Sequence, residues 1–360
     1  MNNGVIRNSK ILKLISTVLA LALVLTVLTG CGPAATTTGT SSQMQASSAA
    51  PPVAASFPVT LTDHLGRTVE IQSKPQRIVS GYYIATSLLI ALGLEDQIVG
   101  LEAKADKRPI YALSAPRLMT LPNVGTAKDF NLEGALALKP DLVILPIRLK
   151  DAIQTLAGMG IATIGINPES QVELDQVIRL VGQATGTMNR AAALLAKSRS
   201  LADKAIAFGK DEPKQRIYLS GNSTFLSTAG SNMYQSSLIK SVGGANVAEA
   251  IEDTTWAGVS YEQLLQWQPD LIIIVPEAVY SVSDVLNDSA LSGLKAVRDK
   301  KVYQMPKQFE AWDSPVPSGV LGQLYIASVL YPQKYSAADF ATDLEAFYKE
   351  FYDFEANVVG

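Results

Sequence analysis

One cysteine and one histidine in 360 residues exclude most metal and nucleophile chemistry before any motif is read. Cys31 sits at the end of an apolar leader, so the folded part has no thiolate, no disulfide and no thiolate metal site. His64 is the only histidine, which rules out a multi-histidine zinc or manganese centre. A histidine-based triad would require the turn that carries His64 to reach a cleft. The chain also lacks a Gly-x-Ser-x-Gly elbow, a phosphate-binding Walker loop and a dinucleotide fingerprint. No catalytic residue, resident metal or intrinsic cofactor is assigned. The formal net charge is −3, and it falls to −6 if the three cations of the leader, Arg7, Lys10 and Lys13, are removed. Nucleic acid is therefore not expected as a partner.

What is present begins with that leader. Residues 1–30 have a basic start and an apolar run, Leu14–Leu28, too short to cross a membrane comfortably. Leu28-Thr29-Gly30-Cys31 is similar to the lipobox of bacterial lipoproteins, which implies a diacylglycerol on the Cys31 thiol and an extracytoplasmic protein anchored to the cell membrane. Residues 31–56 are read as the lipidated cysteine and its tether: Gly32–Ser56 holds no charge, and 21 of its 25 residues are Gly, Pro, Ala, Thr or Ser.

From Phe57 onward, apolar runs rich in Val and Ile alternate with helical periods, which predicts an α/β fold with mainly parallel sheets. Pro58–Ile71 alternates apolar and polar residues around His64-Leu65-Gly66 and predicts an edge hairpin. The order strand, helix, strand occurs twice. "KPDLVILP" at Lys139–Pro146 returns as "QPDLIIIVP" at Gln268–Pro276, with Asp141 and Asp270 at matching places. Asn131 and Ser260 are expected to cap the preceding helices, and each proline turns the chain into a strand. Thr187–Lys210, without internal Gly or Pro apart from Gly209, predicts one long helix. The domains expected are an N-terminal lobe at 57–186, an interlobe helix at 187–210 and a C-terminal lobe at 211–360. A helical connection predicts little hinge closure. Helices are also expected at Leu149–Met159 and Val285–Val297, and the series Phe340, Leu344, Phe347, Phe351 is read as the buried face of a terminal helix.

Ligands in open parallel sheets bind beyond the carboxyl ends of the strands. Residues expected there are Tyr82, Tyr83, Lys104, Arg108 and Arg148 in the first lobe, and Trp256, Tyr280 and Trp312 in the second. If the strand Arg77–Tyr83 continues, Tyr82 and Tyr83 point to opposite faces, one to the cleft and one into the lobe. A phenolate there could ligate haem iron. The basic residues suit an anionic chelate or are ordinary solvated charges. Trp256 and Trp312 suit a pocket wall or a core, whereas Trp267 is read as core.

The segments "PVTLTDHLGRTVEI", "PQRIVS", "LLIALGLEDQIVGLE", "NLEGALALKPDLVIL" and "VSYEQLLQWQPDLIIIV" occur in an order that resembles the solute-binding proteins of ABC importers for ferric siderophores, cobalamin and haem. The resemblance spans Pro58 to Tyr335. It implies the class III periplasmic-binding-protein architecture, two Rossmann-like lobes bridged by one long helix. It also implies a monomer that hands a metal chelate, ferric siderophore first and cobalamin or haem second, to a permease and its ATPase. Two positions depart from the family pattern: Ser87 and Lys240 stand where glutamates that pair with the permease are usual, with Glu95 and Glu249 as possible substitutes.

Overall fold

The computed structural model describes residues 56–357 apart from Thr254; the leader, Cys31 and nearly all of the tether lie outside the described residues. The chain opens with the hairpin β1 (Val59–Thr62) and β2 (Thr68–Ile71), antiparallel in register. At its turn Asp63 accepts from the backbone of Leu65 and Arg67 and from the Arg67 guanidinium. His64 Nδ1 accepts from Asn167 N at 3.2 Å, so the lone histidine fastens the hairpin to the first lobe.

The first lobe contains β3 (Ile78–Ser80), α1 (Tyr83–Ala91), β4 (Ile98–Leu101), α2 (Pro109–Ser114), α3 (Leu132–Ala137), β5 (Leu142–Pro146), α4 (Lys150–Gly158), β6 (Ala162–Ile166) and α5 (Gln171–Thr185). Its four-stranded sheet has the order β4-β3-β5-β6, parallel throughout. All five residues of β5 are buried, as a strand covered on both faces requires. Gly186 in the left-handed region ends α5, and α6 (Met188–Gly209) follows as a single 22-residue helix.

The second lobe follows with β7 (Arg216–Ser220), β8 (Ser227–Thr228), α7 (Tyr234–Ser241), β9 (Ala245–Asn246), β10 (Ala257–Gly258), α8 (Tyr261–Trp267), β11 (Leu271–Ile274), α9 (Val282–Asn287), α10 (Lys295–Arg298), β12 (Val302–Gln304), α11 (Val320–Leu330) and α12 (Ala337–Tyr352). Its sheet runs β10-β8-β7-β11-β12, with β9 beside β7; β7, β11 and β12 are parallel, and β8 and β10 antiparallel. The fold is thus α/β with parallel sheets.

Two expectations need correction, and one element reaches further than its lobe. The strand after Arg77 ends at Ser80, and Tyr83 is the first residue of α1, because Gly81 turns the chain where a Cβ would come within 2.4 Å of the Leu145 side chain. The helix expected over Val285–Val297 is two short helices, since Asp288 caps a new turn at Ala290 and Gly293 interrupts the period. The terminal helix α12 is not confined to the second lobe. Its Phe340, Leu344, Phe347 and Phe351 are buried, and Tyr352 Oη lies 2.9 Å from Ser87 Oγ on α1.

The doubled phrase builds the same joint twice. Asn131 accepts from Gly134 N at 2.9 Å, and Ser260 accepts from Gln263 N at 3.2 Å. Lys139 and Gln268 both take the left-handed conformation, with φ of 49° and 43°. Asp141 then accepts from the backbone N–H groups of Gln76 and Arg77, and Asp270 from that of Arg216. Even the arginines correspond: Arg77 donates to the Leu138 carbonyl and Arg216 to that of Trp267.

Candidate functional site

Both sheets reverse their winding direction beside their central strand, and each reversal opens a crevice at the carboxyl ends of two strands. In the first lobe this point lies between β3 and β5, and in the second between β7 and β11. The residues that leave these strands line a cleft of about 340 Å³ between the lobes: Tyr82, Tyr83 and Arg148 on one side, and Asn222, Val275 and Glu277 on the other, joined by Trp256. A second cavity of about 290 Å³ adjoins it along the first lobe and is lined by Tyr82, Tyr83, Lys104, Arg108 and Arg148. Six of the eight residues expected at the site therefore border these two cavities.

Tyr82 and Tyr83 do not alternate across a strand; both reach the cleft from the start of α1, with their rings edge to face at 5.2 Å. No side chain caps α1 at Tyr82 or α7 at Met233, although both helices begin at the cleft. Such helix starts favour negative charge. Burial pushes the Tyr82 and Tyr83 hydroxyls above the usual phenol range, so both stand as phenols able to donate. Arg108 lies over the Tyr83 ring at 4.1 Å and reaches toward Glu102 at 3.9 Å and Glu277 at 3.7 Å. It thereby joins the ends of β4 and β11 across the cleft. Glu102 is buried, and that burial raises its carboxyl, against the hydrogen bonds it accepts from Thr86 and Tyr111 at 2.6 Å each.

Trp256 borders the cleft because the backbone behind it is a glycine. A Cβ on Gly221 would lie 2.7 Å from the indole Cε3. Tyr280, by contrast, does not border either cavity. Its hydroxyl donates to the Gly221 carbonyl at 2.5 Å and lies beside Ser220 Oγ, so it supports the loop under Trp256.

Trp312 requires the larger correction. It is fully buried, stacked on Phe309, edge-on to Phe340, and its Nε1 donates to Tyr348 Oη at 2.8 Å. The loop does reach the cleft, but through Asp313 and Ser314, the next two residues. Burial pushes the Asp313 carboxyl up to about 6. Asp313, Gln235 and Glu169 are cleft residues that the strand-end reasoning passed over. Glu169 follows β6 closely, and the same rule applied to that fourth strand would have found it.

The two positions at which the family pattern is broken also have definite places. Ser87 is buried within α1, so it presents nothing to a partner. Lys240 is paired with Glu249 at 2.5 Å. Among the described residues no group of three or more His, Cys, Asp or Glu side chains is placed to hold a metal ion, and no helix is long and apolar enough to cross a membrane.

The family model described as periplasmic binding protein matches residues 78–309. The chain is 28% identical over 320 residues to the molybdate-binding protein MolA of Haemophilus influenzae, covering 81% of this chain and 90% of that one. An uncharacterised ABC transporter substrate-binding lipoprotein of Bacillus subtilis, YvrC, is 26% identical over 325 residues, covering 88% and 96%. The solved structure of MolA bound to molybdate superposes with a TM-score of 0.74 at 25% identity, covering 83% of this chain and 99% of that one.

Proposed function

We propose what the cleft captures from the premise that this chain belongs to the periplasmic binding protein family. It is a substrate-binding protein of an ABC importer for a small ligand. The ligand we propose is a metal species that presents anionic oxygen atoms, a ferric siderophore in the first reading.

One observation carries this. The first-lobe wall gathers Lys104, Arg108 and Arg148 beside two tyrosine hydroxyls and the uncapped start of α1, with Glu102 as the one carboxylate along that cavity. Hydroxamate, catecholate and carboxylate oxygens all accept from such donors. Trp256 on the other side offers an indole face to the organic part of a chelate.

A second reading, a metal oxyanion, is favoured by the relative named as molybdate-binding and by the modest cleft volume of about 340 Å³. Haem or cobalamin stays the runner-up chelate. Direct ligation of haem iron by Tyr82 or Tyr83 would first have to remove a proton from a phenol that burial protects. We further propose that Cys31 is lipidated and holds the protein on the outer face of the membrane, in keeping with the Bacillus subtilis relative being named a lipoprotein. We propose no catalysis.

Tryptophan-fluorescence titration with ferric hydroxamates and catecholates, molybdate, cobalamin and haem tests the ligand class. Saturable quenching by a ferric chelate or by molybdate is expected. Tighter binding of cobalamin than of every oxygen-presenting ligand would overturn the reading. Replacement of Cys31 by alanine should move the protein from the membrane fraction to the soluble one; unchanged partition would remove the anchor.

A further inference from the structure

Most charged side chains around the cleft are already matched within the protein. Glu102 accepts from Thr86 and Tyr111, and Glu169 accepts from Asn167 Nδ2 at 2.9 Å. Arg108 and Glu277 face each other at 3.7 Å. Of the charges that line the cleft of about 340 Å³ itself, two are left over, and Lys104 on the adjoining cavity is a third without a side-chain partner among the described residues. Arg148, on the first-lobe wall, makes no ion pair or hydrogen bond through its side chain among the described residues. Asp313, on the opposite wall, is 6% exposed, and beyond its own backbone N–H the one side chain its carboxylate meets among the described residues is Gln235, through Nε2 at 3.5 Å.

A buried carboxylate with one long side-chain hydrogen bond and no counterion is costly to keep. An apolar residue or an amide at position 313 would fold at lower cost. The cost is recovered if the partner arrives with the ligand. A lone carboxylate is a poor metal site but a good site for an ammonium group, whose three donors can also reach the Gln235 carbonyl oxygen. Arg148 on the other wall requires the opposite charge.

We propose that the ligand is dipolar, with anionic oxygens against Arg148 and a protonated amine against Asp313. Asp313 is then a specificity-determining residue that separates amine-bearing chelates from their neutral analogues. This rests on the reading of the cleft as a chelate site, and the two fail in different ways.

The test titrates the full-length protein, by tryptophan fluorescence, with ferrioxamine B, a ferric hydroxamate with one free ammonium group, and with its N-acetyl derivative, which keeps the chelate and loses the charge. Acetylation is expected to weaken binding by about tenfold or more. Asp313→Asn should bring the two affinities together, while Arg148→Ala should weaken both by the same factor. Equal affinities for the two compounds in the unmodified protein overturn the dipolar ligand and leave the cleft reading standing; this comparison needs no variant to fold. Binding of neither chelate also overturns it, and molybdate in the same titration then decides the cleft reading. An Arg148→Ala protein that binds both as well as before takes Arg148 out of the site and overturns the dipolar ligand, while Lys104 and Arg108 leave the cleft reading standing.

Discussion

The two lobes use one joint and one crevice, yet they furnish the cleft differently. The first lobe supplies all the cations and two phenols, Lys104, Arg108, Arg148, Tyr82 and Tyr83, with the carboxylates Glu102 and Glu169 beside them. The second supplies an indole and carboxylates, Trp256, Glu277 and Asp313. Corresponding strand ends even share a Ser-Gly pair, Ser80-Gly81 and Ser220-Gly221, and then diverge into Tyr82-Tyr83 on one side and Asn222 on the other. The scaffold is therefore duplicated while the chemistry is not. A cleft built this way can discriminate the two ends of a ligand, which two identical walls could not do.

The comparison can be broken first at Asp313. Its carboxyl is raised by burial from the ordinary aspartate value to about 6, so the fold holds this proton more tightly than the unfolded chain does. The stability contributed by the protonated form is complete below pH 4 and is lost as pH rises through about 6, a loss of up to about 3 kcal/mol at neutral pH. Asp313→Asn should remove that slope. Chemical denaturation at pH 4 and pH 7 should show a smaller difference in the variant, and an unchanged difference would mean that Asp313 is ionised at no cost.

On the other wall, Arg148→Ala should weaken the bound ligand by roughly thirtyfold, about 2 kcal/mol, as expected for one charge-assisted contact. Isothermal titration that gave the original affinity would take Arg148 out of the site. Trp256→Ala should cost about tenfold, near 1.4 kcal/mol, with little change in melting temperature because the indole is only partly buried. Retained affinity would leave the second lobe without an aromatic role.

The smallest effects sharpen the likeness rather than the difference. Asp141→Ala and Asp270→Ala should each lower stability by about 1 kcal/mol, by freeing the strand-entry N–H groups of Arg77 and Arg216. Neither should alter ligand affinity. Unequal losses in denaturant titration would show that the joints are alike in geometry but not in energy.

The scaffold was legible because its signals are local. Asn131 and Ser260 cap as their positions imply, and the apolar runs at 142–145 and 271–274 are buried strands. The cleft was legible to the extent that strand ends define it, which is why Tyr82 and Arg148 border it. Trp312 was misplaced because a loop flanked by prolines looks exposed from its composition. Contacts with Phe340 and Tyr348, 28 and 36 positions further on, decide its burial. Asp313 was missed for the complementary reason, since an aspartate between a tryptophan and a serine gives no sign that it will be buried. The end of β3 was set by a close approach to Leu145, another contact that no local window contains.

The return of α12 to the first lobe also sets an order of events. Helix α1 rests on Tyr352, and Arg190, at the start of α6, donates to the carbonyls of both Ala91 and Glu350. The first lobe is thus completed by residues that follow the second lobe's sheet in sequence. Until residue 352 has been made, the side of α1 that meets α12 stays uncovered, so the cleft is assembled only after the second lobe has been synthesised.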